Sequence, residues 1–168
     1  MKKILSVAVL GSTGYVGLEL VKILIRHPNI QIKFLGCENS PSKDIREFDQ
    51  NIVIDTLPKL DLNNNFDLKN YDLVFLSLPH GVSHKFVKNF NRKIKIIDLS
   101  ADFRLDSEKL YSKNYNNDHA CPELLNQFIY GLPEINKDVL NTNFDVAVPG
   151  CYPTSVLIPL IPLLKKNL

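Results

Sequence analysis

The segment PGCYPT, residues 149–154, places Cys151 between a short apolar run of strand length and an apolar segment that begins like a helix. The N-terminus of a helix stabilises a thiolate through its dipole and free N–H groups, and the same groups can hold an oxyanion. Gly150 would leave room for a substrate beside the sulfur. A buried cysteine that acts as a small hydrophobic residue is the alternative. Local sequence leaves both readings open, so Cys151 is a candidate nucleophile.

A second candidate site is the turn GSTGYVG, which stands between a predicted strand and a predicted helix. Glycine permits a positive φ at a tight turn, and missing side chains let the backbone approach a pyrophosphate. The N–H groups at the helix start favour phosphate charge, and two hydroxyl groups can add donors. A plain glycine-rich turn is the alternative, but the strand–turn–helix context favours nucleotide binding. The candidate cofactor contacts are Gly11, Ser12, Thr13, Gly14, Tyr15, Val16 and Gly17.

The loop after the predicted second strand bears on the choice between NAD and NADP. Glu38 stands about 20 residues beyond the turn, where an acidic residue takes the ribose 2′-hydroxyl of NAD. Ser40, Ser42 and Lys43 follow at once and can instead hold a 2′-phosphate. A solvated loop is the alternative for both groups, so these residues do not decide the cofactor.

The remaining cysteines and the histidines indicate no further catalytic or metal site. Cys37 and Cys121 lack the setting of Cys151 and are predicted to be structural. Three cysteines without metal-like spacing indicate a reducing compartment, no disulfide scaffold and no metal site. Four histidines are present, and none is a convincing general base: we expect His80 to line a cofactor cleft and three to be exposed. Those three are His27, His84 and His119.

Both candidate sites follow predicted strands. A continuous apolar run, typical of a strand buried on both faces, covers 4–10, and further strands are predicted over 30–36, 73–78, 94–99 and 144–148. Helical spacing follows the glycine turn and recurs over 82–90, while 52–67 is ambiguous and 105–130 is mixed. The face predicted to be buried on the first helix consists of Val16, Leu20, Ile23 and Leu24. This alternation predicts an α/β fold with a mostly parallel sheet, whose ligands bind at the carboxyl ends of the strands.

The composition excludes several classes of protein. The chain has 168 residues, about one domain, with 45% hydrophobic and 23% charged residues. Its 20 basic and 18 acidic residues leave a net charge of +2, which gives no reason to expect a nucleic-acid or membrane partner. The apolar run over 156–164 is shorter than the roughly 20 residues that span a bilayer. We expect a cytoplasmic protein.

Six motifs in order give the chain a resemblance to a known family. They are GSTGYVG from Gly11, SLPHGVS from Ser77, IDLSADFRL from Ile97, PELL from Pro122, YGLPEIN from Tyr130 and PGCYPT from Pro149. Over nearly its whole length the chain resembles the N-acetyl-gamma-glutamyl-phosphate reductases of arginine biosynthesis, in the semialdehyde dehydrogenase group. The resemblance implies a Rossmann-type doubly wound sheet, NADP as cofactor, Cys151 as nucleophile and a small-molecule acyl phosphate as substrate.

The resemblance also implies roles for further residues. Ser77, Pro79 and His80 would flank the cofactor. Ser100, Asp102 and Arg104 would lie near the active-site mouth. Arg104 would meet an anionic substrate group through a bidentate fork, with a structural ion pair to Asp102 or Asp106 as the alternative.

Three departures accompany the resemblance. Val148 stands where many members have Asn, and the loop before Lys43 lacks a glycine often found there. Members continue into a substrate domain that bears a general acid/base histidine. We therefore expect a fragment, with residues 1–148 binding the dinucleotide and 149–168 beginning a truncated α+β substrate domain, and a homo-oligomer at full length.

Other activities stay open at the level of sequence. An aminoadipyl-phosphate reductase shares most of the motifs, whereas aspartate-semialdehyde dehydrogenases fit YGLPEIN and PGCYPT less well. A nucleotide-binding module without turnover is the alternative from another class.

Overall fold

The computed structural model describes residues 3–54, 56–90, 94–140 and 145–166, and it contains the predicted alternation of strands and helices. The strands are β1 Leu5–Leu10, β2 Ile30–Cys37, β3 Leu60–Leu62, β4 Leu73–Leu76, β5 Lys95–Asp98, β6 Phe128–Tyr130 and β7 Asp145–Ala147. The α-helices are α1 Tyr15–Leu24, α2 Ser83–Lys88, α3 Glu108–Tyr115, α4 Pro133–Leu140 and α5 Cys151–Lys165. Short 3-10 helices cover Ile45–Glu47, Asn63–Asn65, Leu68–Asn70 and Pro122–Gln127.

The strands form one sheet in the order β3-β2-β1-β4-β5-β7-β6. β1 pairs in parallel with β2 on one side and β4 on the other, β2 pairs in parallel with β3, and β6 with β7. The four last residues of β1 are completely buried, as expected for a strand covered on both faces. The order, with helices between parallel strands, confirms the predicted Rossmann-type α/β fold.

The residues group into two compact units. The first consists of Met1–Pro79 and Asn89–Ile97, and its core contains the apolar side chains of β1 to β4. The second consists of His80–Lys88 and Asp98–Leu168. In its core the rings of Phe103 and Phe128 stack, with centroids 3.9 Å apart.

The buried face of α1 differs from the predicted one. Gly17, Val21 and Leu24 are buried, whereas Val16 is 54% and Ile23 is 66% exposed. A Cβ on Gly17 would lie only 2.2 Å from the carbonyl oxygen of Gly11. Gly17 therefore faces inward, and the buried face of α1 is turned by about one residue from the face that the hydrophobic side chains predicted.

Two stretches without a clear pattern contain short elements. β3 lies in the ambiguous segment 52–67, and β6 lies in the mixed segment 105–130 together with α3. Both strands are three residues long and form opposite ends of the strand order, so neither produces an apolar run of core length. Among the described residues, no helix combines the length and apolar character required to cross a membrane.

Candidate active site

The glycine turn belongs to the first unit, and its three glycines have different reasons to lack a side chain. Gly11 has a φ of +73°, and a Cβ there would lie 2.1 Å from the carbonyl oxygen of Ser77. Gly17 is equally restricted by the backbone of the same turn. Gly14 is exposed, and a Cβ there would make only an ordinary contact of 3.6 Å. Folding thus requires glycine at the two outer positions, and only Gly14 is free to serve a ligand.

Hydrogen bonds within the turn use several of its donors. The backbone N–H of Ser12 donates to the carbonyl of Gly36 at 2.8 Å, and its hydroxyl donates to the same oxygen at 2.9 Å. The N–H of Gly11 donates to Oδ1 of Asn63 at 3.0 Å. Ser12 is completely buried. Its hydroxyl, which we expected to donate to a phosphate, is therefore already occupied inside the protein.

The first turn of α1 supplies donors that point to an anion site. The first helical bond runs from the N–H of Leu18 to the carbonyl of Gly14, at 2.8 Å. The N–H groups of Tyr15, Val16 and Gly17 precede that bond and are the orphan donors of the helix terminus. Tyr15 is 95% exposed, so solvent and ligands reach this end of the helix. The backbone thus offers what a pyrophosphate needs.

Asn63 is a residue of this site that sequence reasoning missed. Its Oδ1 accepts the N–H of Gly11, and it lies where a Cβ on Gly36 would be, only 2.3 Å away. Asn63 follows directly after β3. The run Asn63–Asn65 indicated a turn in the sequence, but Gly11, the hydrogen-bond partner of Asn63, is 52 residues away.

The loop after β2 holds the residues considered for the cofactor's ribose. Glu38, Ser42 and Lys43 are exposed and Ser40 is half-buried. Ser42 has a φ of +68°, an unusual conformation for a residue with a side chain. The structure thus places all four side chains on one short loop. Of the cofactor-flanking residues, Ser77 is half-buried and Pro79 is exposed at the end of the first unit's long segment.

Cys151 belongs to the second unit and is the first residue of α5, as the sequence predicted. Gly150 is the N-cap, and its carbonyl accepts the first helical bond, from the N–H of Thr154 at 3.0 Å. Pro153 has no N–H, so the amides of Cys151 and Tyr152 precede the first bond as donors. Cys151 is exposed, in contrast to the other two cysteines, which are buried. An accessible sulfur therefore stands beside two backbone donors.

Arg104 hydrogen-bonds to the main chain and not to Asp102 or Asp106. Its Nε donates to the carbonyl of Val148 at 2.8 Å, and its Nη2 donates to the carbonyl of Leu99 at 3.0 Å. These are main-chain acceptors rather than the carboxylates of the neighbouring aspartates. Its Nη1 lies 3.0 Å from the position of a Cβ on Gly150. The guanidinium therefore lies beside Gly150, and the contact of Arg104 with an anionic substrate group stays a prediction.

Asp102 is an internal anchor rather than a residue of the active-site mouth. It is completely buried, and its carboxylate accepts the backbone N–H groups of Gly81 at 2.8 Å and His84 at 3.1 Å. The Tyr111 hydroxyl donates to it at 3.2 Å. His80 Nδ1 lies 2.8 Å from the same carboxylate, and the His80 side chain is 35% exposed. Asp102 therefore fixes the orientation of His80 and of the start of α2.

Two histidines that we expected at the surface are buried. His84 Nε2 bonds to the carbonyl of Gly81 at 2.9 Å, while its Nδ1 accepts the N–H of Ala120 at 2.8 Å. An acceptor at Nδ1 requires the proton on Nε2, which fixes a neutral tautomer. Burial, and then the neighbouring His84, lower the pKa of His119. The lysines near His84 suggested a surface helix, but the histidine lies on the opposite, inward face.

Ser100, expected to contact the substrate, is also part of the interior. Its hydroxyl donates to the Asp98 carboxylate at 2.7 Å and accepts the N–H of Asp102 at 3.1 Å. Burial raises the pKa of Asp98 to about 6, although the hydrogen bonds from Ser100 oppose this shift. Ser100 therefore organises the turn that leads to Arg104, and its hydroxyl is already engaged.

Comparison with known proteins agrees with this architecture. A curated relative from Ehrlichia canis, named N-acetyl-gamma-glutamyl-phosphate reductase, is 44% identical over 97% of this chain and 47% of its own length. A relative from Oryza sativa subsp. japonica, named probable N-acetyl-gamma-glutamyl-phosphate reductase, chloroplastic, is 38% identical over 96% of this chain and 39% of its own. The chain thus spans about half the length of these relatives, or less.

Solved structures show the same fold at much lower sequence identity. Aspartate semialdehyde dehydrogenase with NADP from Candida albicans has a TM-score of 0.66 at 18% identity, over 98% of this chain and 48% of that one. Aspartate semialdehyde dehydrogenase II from Vibrio cholerae has a TM-score of 0.70 at 19% identity, over 98% and 43%. Residues 6–143 match the family described as semialdehyde dehydrogenase, NAD binding domain. The chain belongs to that family.

Proposed function

We propose that this chain is the cofactor-binding and nucleophile-bearing part of an NADPH-dependent N-acetyl-gamma-glutamyl-phosphate reductase. The reaction is the reduction of N-acetyl-L-glutamyl 5-phosphate to the 5-semialdehyde and phosphate. The observation that carries the proposal is the exposed sulfur of Cys151 at the N-terminus of α5. Relatives of that name with about 40% identity support the choice of substrate.

In this proposal the Cys151 thiolate attacks the acyl carbon. The sulfur–carbon bond forms and the carbon–oxygen bond to phosphate breaks, so phosphate leaves with the electron pair and a thioester remains. The amides of Cys151 and Tyr152 donate to the oxyanion that precedes departure of phosphate. The exposed position of the sulfur lets a substrate approach without rearrangement of the helix.

The turn around Gly14 fits a dinucleotide. Its open face and the orphan N–H groups of Tyr15 and Val16 suit a pyrophosphate. Bound NADPH supplies the hydride. We assign the 2′-phosphate to Ser40 and Lys43, with Glu38 as the residue that would favour NAD instead. Residues 1–148 then form the dinucleotide-binding part, and 149–168 begin the substrate part.

Acylation of the chain by substrate tests this function directly. N-acetyl-L-glutamyl 5-phosphate should add one acyl group to Cys151, detected by intact-mass and peptide mass spectrometry. Cys151→Ser should abolish the adduct, whereas Cys37→Ala, which removes a buried thiol, should retain it. Aminoadipyl and aspartyl phosphates serve as competing substrates. A chain that forms no adduct, and whose Cys151 reacts with iodoacetamide no faster than a free thiol, refutes the nucleophile.

The cofactor preference is tested on the same chain by fluorescence titration. Binding of NADPH should be tighter than binding of NADH, and Lys43→Ala should weaken only NADPH. The matched control is Lys33→Ala, which removes an exposed lysine of β2. Equal affinity for both nucleotides in the unaltered chain would contradict the assignment to NADP.

A further inference from the structure

We propose that Arg104 is a positioning residue for Cys151: its guanidinium holds the backbone before α5 and so sets the direction of the sulfur. The inference rests on the proposed function of Cys151 as the nucleophile. To the predicted contact between Arg104 and substrate it adds a role for the contacts that Arg104 makes with the protein's own main chain.

Hydrogen bonds at both the N–H and the carbonyl of Val148 hold the backbone that leads to Cys151. The N–H of Val148 donates to the carbonyl of Asp98 at 2.8 Å. The carbonyl of Val148 accepts Nε of Arg104, and Nη2 of the same guanidinium reaches the carbonyl of Leu99. One planar group therefore joins the residue after β5 to the residue after β7. The segment between β7 and α5 follows directly from this junction.

Gly150 provides the second, independent observation. Its φ of −67° and ψ of 159° suit any residue, so backbone conformation does not demand glycine. Space favours glycine here, because a Cβ would lie 3.0 Å from Nη1 of Arg104 and the guanidinium would have to shift by a few tenths of an ångström. Glycine at this position thus lets the guanidinium lie against the residue that immediately precedes Cys151. Arg104 and Gly150 therefore pack against each other as complementary surfaces.

Arginine is suited to this task in a way that lysine is not. The guanidinium is planar and presents several N–H donors in a fixed fork, whereas an ammonium is a compact charge on a flexible stem. Two carbonyls bound at Nε and Nη2 require that fork. A lysine would keep the positive charge but lose the geometry, which allows charge and positioning to be separated.

The experiment measures the rate at which iodoacetamide alkylates Cys151 at neutral pH, by peptide mass spectrometry of the 168-residue chain. We expect Arg104→Gln and Arg104→Lys to slow alkylation alike, by about twofold to fivefold, the effect of a displaced helix terminus on a charged group. Arg26→Gln, which removes an exposed arginine of the first unit, should leave the rate unchanged. The buried thiols of Cys37 and Cys121 must stay unreactive, which verifies folding.

A second variant keeps the test decisive if the Arg104 variants unfold. Gly150→Ala should also slow alkylation, and in the Arg104→Gln background it should add no further loss, because the obstructing guanidinium is gone. Two results overturn the proposal: the original rate in either Arg104 variant, or a Gly150→Ala effect that is as large in the Arg104→Gln background as in the unaltered chain. By contrast, an unaltered chain whose Cys151 reacts like N-acetylcysteine refutes the proposed nucleophile itself.

Discussion

The different roles of Gly17 and Gly14 lead to a prediction that separates folding from cofactor binding. In Gly17→Ala the new methyl group would lie 2.2 Å from the carbonyl oxygen of Gly11 and 2.8 Å from Cα of Ser12. Both neighbours are backbone atoms, so α1 or the turn must move. Overpacking of this kind costs about 1–3 kcal/mol in the free energy of unfolding.

Gly14→Ala is the matched control for stability. Its methyl group would lie 3.6 Å from the nearest atom outside its chain neighbours, and the φ of −75° and ψ of 162° suit alanine. We expect the free energy of unfolding to change by no more than about 0.5 kcal/mol, as for an ordinary surface substitution. The same methyl group stands where a pyrophosphate would approach the helix. Nucleotide binding should therefore weaken by about 1–3 kcal/mol, or about 5- to 150-fold in Kd.

Two measurements on each variant decide the matter: urea unfolding followed by far-ultraviolet circular dichroism, and titration with NADPH followed by fluorescence. The expected pattern is an unstable Gly17→Ala and a stable Gly14→Ala that binds nucleotide poorly. If Gly17→Ala is as stable as the unaltered chain, the close approach of α1 to the turn is wrong. If Gly14→Ala binds NADPH with unchanged affinity, the phosphates do not approach at Gly14.

Three further predictions concern polar groups that form hydrogen bonds within the protein. Burial raises the pKa of Asp98 to about 6, so its neutral form contributes stability below the unfolded pKa and that contribution disappears as pH rises through 6. In urea unfolding, the stability advantage of the unaltered chain over Asp98→Asn should fall by up to about 3 kcal/mol between pH 4 and 7. A difference in stability that stays constant with pH would contradict the raised pKa. Asn63→Ala should lower the free energy of unfolding by about 1–3 kcal/mol, because it leaves the N–H of Gly11 without its acceptor. Asn64→Ala, at an exposed neighbour, should change the free energy of unfolding little. Equal losses of stability in the two variants would refute the role of Asn63 as that acceptor. Tyr111→Phe should cost about 1.5–3 kcal/mol by removing a donor to buried Asp102, and a thermal midpoint equal to that of the unaltered chain would exclude this contribution.

The parts of the fold that follow from sequence are those with a local signal. Apolar segments of strand length predicted the central strands, and the glycine turn predicted a helix after it; that helix, α1, begins at Tyr15, within the segment read as the turn. The helix that begins at Cys151 was also predicted, because its apolar segment follows a short strand and a glycine. Each of these features depends on residues within a few positions of one another.

The parts that sequence reasoning missed depend on partners far along the chain. Asn63 and Gly11 are 52 residues apart, and Arg104 and Val148 are 44 residues apart. Nothing in the local pattern shows that an arginine will meet main-chain carbonyls rather than a ligand. His84 was assigned to the surface because its neighbours are lysines, yet its ring bonds to a residue 36 positions away. Prediction of such contacts requires the tertiary arrangement.

The buried carboxylate of Asp102 has a consequence for gene construction and recombination. It holds Gly81 and His84, which belong to His80–Lys88, a short stretch that the chain inserts between the two parts of the first unit. Neither unit is therefore contiguous, and no single crossover between homologous genes keeps both units intact. A chimera joined at one breakpoint between residues 80 and 97 would divide both cores between different parents. Exchange of one unit without any part of the other demands crossovers at all three boundaries, after residues 79, 88 and 97.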